Sequence, residues 1–278
     1  MHTPKFDPRA HGPSRAVEAS VAVAGVADFW RRVDSASHIV LMLDYDGTLA
    51  PFHVDRMQAR PLPNVLDALE IIDDDDRTTV AIVSGRPVEE VQTLLGNPRF
   101  RIAGSHGYEM YDPAGEPFTA PITSRQSTVL DEAVARAISI FDPARVERKA
   151  ASVAVHFRGL EPRHYRDVED ALRSEWRAVS PADSMEIRPF NGGIELRATG
   201  RTKGSVVREI LAESPVDALA IYIGDDDTDE DAFAALPDTG IGVKVSLTGA
   251  ESLARGRLPD CAAVERLLID WGMRRKRS

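Results

Sequence analysis

Residues 39–48 read IVLMLDYDGT: five apolar residues run without a polar break into Asp44, Tyr45, Asp46, Gly47 and Thr48. A continuous apolar run ending in an acidic turn marks a strand buried on both faces, as in a parallel sheet covered by helices. The pattern recurs twice. Residues 79–83 run into Ser84-Gly85-Arg86, and residues 219–223 run into Gly224-Asp225-Asp226-Asp227-Thr228-Asp229. Helical spacing is predicted over 65–72, 88–95, 204–212, 231–236 and 264–271, with further strands at 101–103 and 241–245. This alternation predicts a doubly wound, mainly parallel α/β sheet. Ahead of it, 1–16 reads as a flexible tail. Helical spacing from Ala19 towards Val33 sets Val23, Val26, Phe29 and Trp30 on one side.

The middle of the chain differs. Residues 112–123 are rich in Pro and turn formers and read as a hinge, as does 198–202. Residues 126–141 and 162–179 have helical spacing. Residues 152–158 alternate, with Val153, Val155 and Phe157 opposite Ser152, Ala154, His156 and Arg158. Strands at 184–188 and 193–197 are predicted likewise, with Glu195 and Arg197 opposite Ile194 and Leu196. Alternation implies one covered and one open sheet face. The expected organisation is a core of 17–112 and 198–278 with an α+β domain, 113–197, inserted into it. The polar face bearing His156, Arg158, Glu195 and Arg197 suits a sugar's hydroxyls, and Glu147 and Lys149 enter beside it.

Composition narrows the function. The 278 residues carry 34 Lys and Arg against 44 Asp and Glu, a net charge of −10. That balance argues against general nucleic-acid binding, which needs a basic footprint. Cys261 is the only cysteine, so no intrachain disulfide forms, which fits a reducing compartment. The longest apolar run, 20–27, ends at Asp28, too short for a membrane span. Residues 1–16 lack the apolar stretch of a signal peptide. A cytoplasmic protein without membrane partners is expected, and the basic 274–277 run reads as a solvated tail.

The three strand ends carry the chemistry. In an open α/β sheet, ligands sit beyond the carboxyl ends of the strands, where distant segments converge. Singly, each cluster has a plain reading: Asp-Gly-Thr as a turn, Ser-Gly-Arg as a helix cap, the acidic run as a solvated helix start. Jointly they point elsewhere. Asp44 and Asp46 can border one pocket because Gly47 lets the chain turn, and Asp225 and Asp229 add carboxylate. Such acids repel unless a cation lies between them. Oxygen donors without a His or Cys cluster favour Mg2+. A hard cation beside carboxylates suits phosphate chemistry: one carboxylate attacks phosphorus to form an aspartyl phosphate, and a second protonates the leaving alcohol and later activates water. Lys203, at a helix start, can hold the phosphoryl oxygens, and Ser84 can add a hydrogen bond.

These segments resemble the haloacid dehalogenase (HAD) superfamily of phosphatases and, more narrowly, the trehalose-6-phosphate phosphatases. The matching stretches are LDYDGTLAPF (43–52), VSGRP (83–87), GSHGYE (104–109), ELRATGRTKG (195–204) and GDDDTDEDAF (224–233). The acidic and GSHG stretches are the more specific, and the likeness spans about 39–245. The resemblance implies a HAD-like core with an inserted α+β cap of the C2 type. It implies Asp44 as nucleophile and Asp46 as general acid and base, whose carbonyl also meets Mg2+. Ser84 and Lys203 would hold phosphate. Asp225 would be a metal ligand, with Asp229 a further candidate. Gly85, Arg86 and His106 join Glu147, Lys149, His156, Arg158, Glu195 and Arg197 as candidate substrate-binding residues. The implied activity is Mg2+-dependent hydrolysis of trehalose 6-phosphate by a monomer. Other sugar phosphates, such as sucrose phosphate or mannosyl-phosphoglycerate, stay open. So does a non-catalytic regulatory module, although that reading expects erosion at Asp44, Asp46, Lys203 or Asp225, and all four are intact. A response-regulator-like receiver has no use for Asp46 or for a large insertion.

Overall fold

The computed structural model describes residues 20–276 except 116, 183 and 250. The expected 1–16 tail lies outside the described residues. Along the chain come α1 (Phe29–Ser35), β1 (Ile39–Leu43), α2 (Val65–Asp73), β2 (Thr78–Val83), α3 (Val88–Leu95), β3 (Arg101–Gly104), β4 (Glu109–Tyr111), β5 (Phe118–Thr119), α4 (Ser124–Ile140), β6 (Val146–Arg148), β7 (Ser152–His156), α5 (Pro162–Val179), β8 (Met185–Phe190), β9 (Gly193–Ala198), α6 (Lys203–Ala212), β10 (Leu219–Gly224), α7 (Asp229–Ala235), β11 (Ile241–Val245), β12 (Gly256–Leu258) and α8 (Cys261–Arg275).

The larger sheet has the order β12-β11-β10-β1-β2-β3-β4-β5. It is parallel from β12 to β3, and β4 and β5 add an antiparallel edge. Every residue of β1 is buried, as its unbroken apolar run predicts. Its odd positions, Ile39, Leu41 and Leu43, join the layer that includes Leu69, Ile72, Leu267 and Trp271 of α2 and α8. Its even positions, Val40 and Met42, meet Val206, Val207 and Ile210 of α6 and Phe233 of α7. Truncating such a side chain, as in Leu41→Ala, costs about 2–5 kcal/mol. Register places the chemistry. Leu43 pairs with Ile223 across β1 and β10, so both acidic loops emerge side by side.

The smaller sheet, β6-β7-β9-β8, is antiparallel. One face packs on α4 and α5 through Val153, Val155, Ile194 and Leu196 against Leu130, Ala133, Leu172 and Trp176. A capping box at Thr123 and Gln126 starts α4.

Three expectations need correction. Among the described residues before β1, only Phe29–Ser35 is helical. Ahead of it, Ala24 forms an antiparallel bridge to Arg257 of the edge strand β12, with N–O distances of 3.1 and 2.9 Å. Gly25, at φ 84° with the Arg255 carbonyl where a Cβ would sit, breaks helical continuity. The apolar set was still legible, since Val23 and Val26 are buried. Second, the 112–123 hinge contains β5, which pairs with β4 through a turn closed by Gly115 N–H donating to the Asp112 carbonyl. Third, the polar face of the smaller sheet is not open. Glu195 and Arg197 are only 3% and 2% exposed. The alternation has the right period, but loops of the larger sheet cover the face it was expected to leave to water.

Candidate active site

Asp44 follows directly on β1, and its N–H donates to the Ile223 carbonyl at 2.9 Å. Gly47 then turns the chain at φ 73°. A Cβ at Gly47 would stand 2.2 Å from Asp225 Oδ2, so only glycine lets the two acidic loops touch. Carboxylate oxygens of Asp44, Asp225 and Asp229 lie within 4.8 Å of one another.

Lys203 opens α6, which Thr202 caps by accepting from Ser205 N–H. Its ammonium is buried and donates to Asp44 Oδ1 at 2.8 Å and Asp229 Oδ1 at 2.7 Å. Asp229 Oδ1 also accepts from the Tyr222 hydroxyl, and Oδ2 from Asp226 N–H. Asp229 thus spends both oxygens on the chain itself, bracing Lys203 and the acidic loop. Asp225 Oδ1, in contrast, is buried with no hydrogen-bond partner.

One ammonium among three close carboxylates leaves excess negative charge. Burial, with the Asp229 and Asp46 charges, pushes Asp44 up to about 7 despite Lys203. Burial and the charges of Asp44 and Asp229 push Asp225 up to about 9. Lys203 moves up as well, because Asp229 and Asp44 outweigh the effect of its burial. An all-oxygen donor set with an orphaned buried oxygen fits a hard divalent cation.

Asp46 does not join this cluster through its carboxylate. It turns to Arg86, which holds it bidentately, Nε to Oδ2 at 2.6 Å and Nη2 to Oδ1 at 2.8 Å. Ser84 Oγ accepts from Arg86 N–H at 3.1 Å. Gly85 lies under the His106 ring, where a Cβ would come within 2.7 Å of Cε1. Ser105 and His106 have φ of 49° and 56°, rarely adopted by non-glycine residues. Their N–H groups donate to the Arg86 and Ser84 carbonyls at 2.7 and 3.0 Å, which holds that conformation.

The smaller sheet supplies the facing wall. Glu195 Oε1 accepts from Lys149 Nζ at 3.0 Å and Ser152 Oγ at 2.8 Å, and Oε2 meets His106 Nε2 at 3.0 Å. Lys149 also donates to the Gly85 carbonyl at 3.0 Å, tying both walls together. Burial opposes ionisation of Glu195, yet Lys149 and the hydrogen bonds hold it well below the usual carboxylate range. His106 is pushed down by burial. Lys149 is the first of the groups that keep Glu195 ionised, and the His106 contact adds to it. Burial also opposes ionisation of Glu147, but the His156 hydrogen bond, Lys149 and Arg56 hold it at about 2. Arg158 lies over the Phe52 ring, 4.5 Å from its centroid.

One cleft brings together Asp44, Asp46, Ser84, Gly85, Arg86, His106, Glu147, Lys149, His156, Arg158, Glu195, Lys203 and Asp225. Two residues singled out from the sequence do not line it. Asp229 sits behind the wall. Arg197 turns away to Glu186, Nε to Oε1 at 2.5 Å, and towards Asp231 at 3.8 Å. Arg56, Glu90, Arg188 and Asp226 line the cleft without having been singled out. Glu90 had a signal, four residues after Arg86 at a helix start. Arg56 had none, because its loop is irregular.

A mainly parallel sheet with acidic loops at the ends of β1 and β10, under a separate antiparallel α+β layer, defines the HAD-like fold class. The family described as trehalose-phosphatase matches residues 42–256, and the chain belongs to that family. The trehalose-phosphate phosphatases of Mycobacterium marinum and Mycobacterium avium are each 30% identical, over 74% and 84% of this chain. The chain spans 53% and 60% of those two proteins' length. The C-terminal domain of C. albicans trehalose-6-phosphate phosphatase shares the fold, with a TM-score of 0.75 at 20% identity over 87% of this chain and 94% of that one.

Proposed function

We propose that this chain hydrolyses trehalose 6-phosphate to trehalose and phosphate through an aspartyl phosphate on Asp44. The observation that carries the reading is a single cleft with a nucleophile–lysine–acid cluster on one wall and the Glu147, Lys149 and Glu195 charges on the other. A bound divalent cation, Mg2+, would be held by Asp44, Asp225 and the Asp46 carbonyl, and would neutralise phosphoryl charge.

The chain's own groups do the rest. Lys203 fixes one oxygen of Asp44 and leaves the other free to attack phosphorus. The Lys203 ammonium and the Ser84 hydroxyl hold the phosphoryl oxygens. Asp46 protonates the departing sugar oxygen, then takes a proton from the water that attacks the aspartyl phosphate. The charged groups of the smaller sheet bind the sugar hydroxyls and cover the cleft against water. We propose accordingly that residues 113–197 act as the specificity cap on a core of 17–112 and 198–278. No helix among the described residues is long and apolar enough to cross a membrane. With Cys261 the only cysteine, a reducing compartment, the cytoplasm, is proposed.

The test is phosphate release from a panel of trehalose 6-phosphate, sucrose phosphate, mannosyl-phosphoglycerate and glucose 6-phosphate, with Mg2+ and with chelator. Trehalose 6-phosphate is expected to give the highest kcat/KM, and only with Mg2+. A different best substrate overturns the sugar assignment, and full activity in chelator overturns the metal assignment.

A further inference from the structure

An unbroken alternation of charge joins the smaller sheet to Asp46. His156 Nε2 lies 2.8 Å from Glu147 Oε2 on β6. Arg56, in a 3-10 turn at 56–58, contacts that same Glu147 oxygen through Nη1 and reaches Glu90 Oε1 through Nη2 at 2.9 Å. The other Glu90 oxygen, Oε2, accepts from Arg86 Nη1 at 3.2 Å. The two remaining Arg86 nitrogens grip Asp46. Glu90 and Glu147 side chains are 15% and 10% exposed, and Arg56 is 37% exposed. Two nearly buried carboxylates therefore face each other across one guanidinium. Without it they would repel in a poorly solvated space.

We propose that Arg56 and Glu90 are positioning residues. Arg56 clasps Glu147 of the smaller sheet to Glu90 of α3, and through Arg86 that clasp sets where the Asp46 carboxylate stands. Seating of a sugar against the smaller sheet and proton transfer at the leaving oxygen then become one coupled event. The inference rests on the role proposed for Asp46. Its physical basis is that every link is used on both sides. Arg86 has all three nitrogens engaged, and Glu90 divides its two oxygens between Arg56 and Arg86. Removing one member frees the next to rotate, and displacement of a reacting group by about 1 Å costs roughly a hundredfold in rate.

The experiment compares Arg56→Met, Glu90→Gln and the double variant, in the full chain with Mg2+. The substrates are trehalose 6-phosphate, whose alkoxide leaving group needs a proton, and p-nitrophenyl phosphate, whose leaving group does not. Each single variant is expected to lower kcat on the sugar phosphate by about ten- to hundredfold, with a smaller change in KM. The single-turnover burst of p-nitrophenol, which reports attack on phosphorus without the later water step that also uses Asp46, should slow by less than about threefold, because that departure needs no proton. The double variant should be no worse than the poorer single within about threefold, because the two residues act in series. Arg56→Lys should recover part of the loss, since an ammonium can still bridge two carboxylates. Unchanged kcat, equal slowing of single-turnover leaving-group release from both substrates, or additive losses would each overturn the clasp. If the unaltered protein hydrolyses the aryl ester but not trehalose 6-phosphate, the sugar assignment falls instead. The same expectations are then scored on the best sugar phosphate of the panel.

Discussion

Lys203 donates to Asp44 at 2.8 Å although 159 residues separate them, and the same ammonium reaches Asp229 at 2.7 Å. The lysine is thus both the clamp on the proposed nucleophile and the only ammonium in contact with these two carboxylates among the described residues. Lys203→Met should lower kcat by about a hundred- to thousandfold, the range for loss of one preorganised donor. Breaking the buried pair should also cost about 3–5 kcal/mol, less whatever Asp44 recovers by taking up a proton. Phosphate release and a denaturant titration measure the two effects, and a variant keeping a tenth of wild-type activity would refute the clamp.

Metal and pH act together on stability. The carboxyls of Asp44 and Asp225 are raised in the fold, to about 7 and about 9, from 3.8. The folded, cation-free chain therefore holds protons that the unfolded chain releases, and its stability falls as pH rises through that window. A bound cation replaces those protons. Adding Mg2+ should raise Tm, and by more at pH 8.5 than at pH 6. Calorimetry in chelator and in Mg2+ decides it; identical melts at both pH values would mean that the cluster holds no cation.

The two carboxylates of the DYDGT stretch should separate by chemistry. Asp44→Asn removes the proposed nucleophile and should lower kcat by about a thousandfold or more on any ester. Beryllium fluoride should form its adduct on Asp44. Asp46→Asn should hurt trehalose 6-phosphate far more than p-nitrophenyl phosphate. Equal losses on the two substrates in single-turnover leaving-group release, which precedes the water step, would make Asp46 structural.

Glu195→Gln strips the Lys149 ammonium of its carboxylate in a buried place. By the cost of an unpaired buried group, about 1–3 kcal/mol, kcat/KM for trehalose 6-phosphate should drop roughly ten- to a hundredfold. The small aryl ester should respond much less. Glu195 titrates well below 4.5 in the fold, so its stabilising contribution is present above that pH and fades as pH falls towards the folded value. The stability gap between variant and wild type should accordingly shrink in acid. A gap constant from pH 7 to pH 3 would deny the ion pair.

The sheet was readable because burial on both faces leaves a run such as 39–43 no polar position, and period and length then identify a strand. The acidic cluster was readable because strand ends of a parallel sheet share one edge. What escaped was set by contacts distant in sequence. Ala24 is extended only because β12 offers an unpaired edge 233 residues away in Arg257. Arg197 alternates like a surface residue, yet Glu186 and Asp231 draw it inward. Arg56 looks like any loop arginine until Glu90 and Glu147 are brought to either side of it. Local periodicity records which way a side chain points, not what stands opposite.

The Ala24–Arg257 bridge has a colloidal consequence. An eight-stranded sheet ending in a short strand presents free N–H and C=O groups that a second molecule could zip onto. Two hydrogen bonds from the segment before α1 close part of that row, and Val23 seals it with a hydrocarbon contact over Gly256. A chain shortened past Ala24 would keep its catalytic cleft, which lies elsewhere. It would leave that stretch of the β12 edge open to pairing with a second copy.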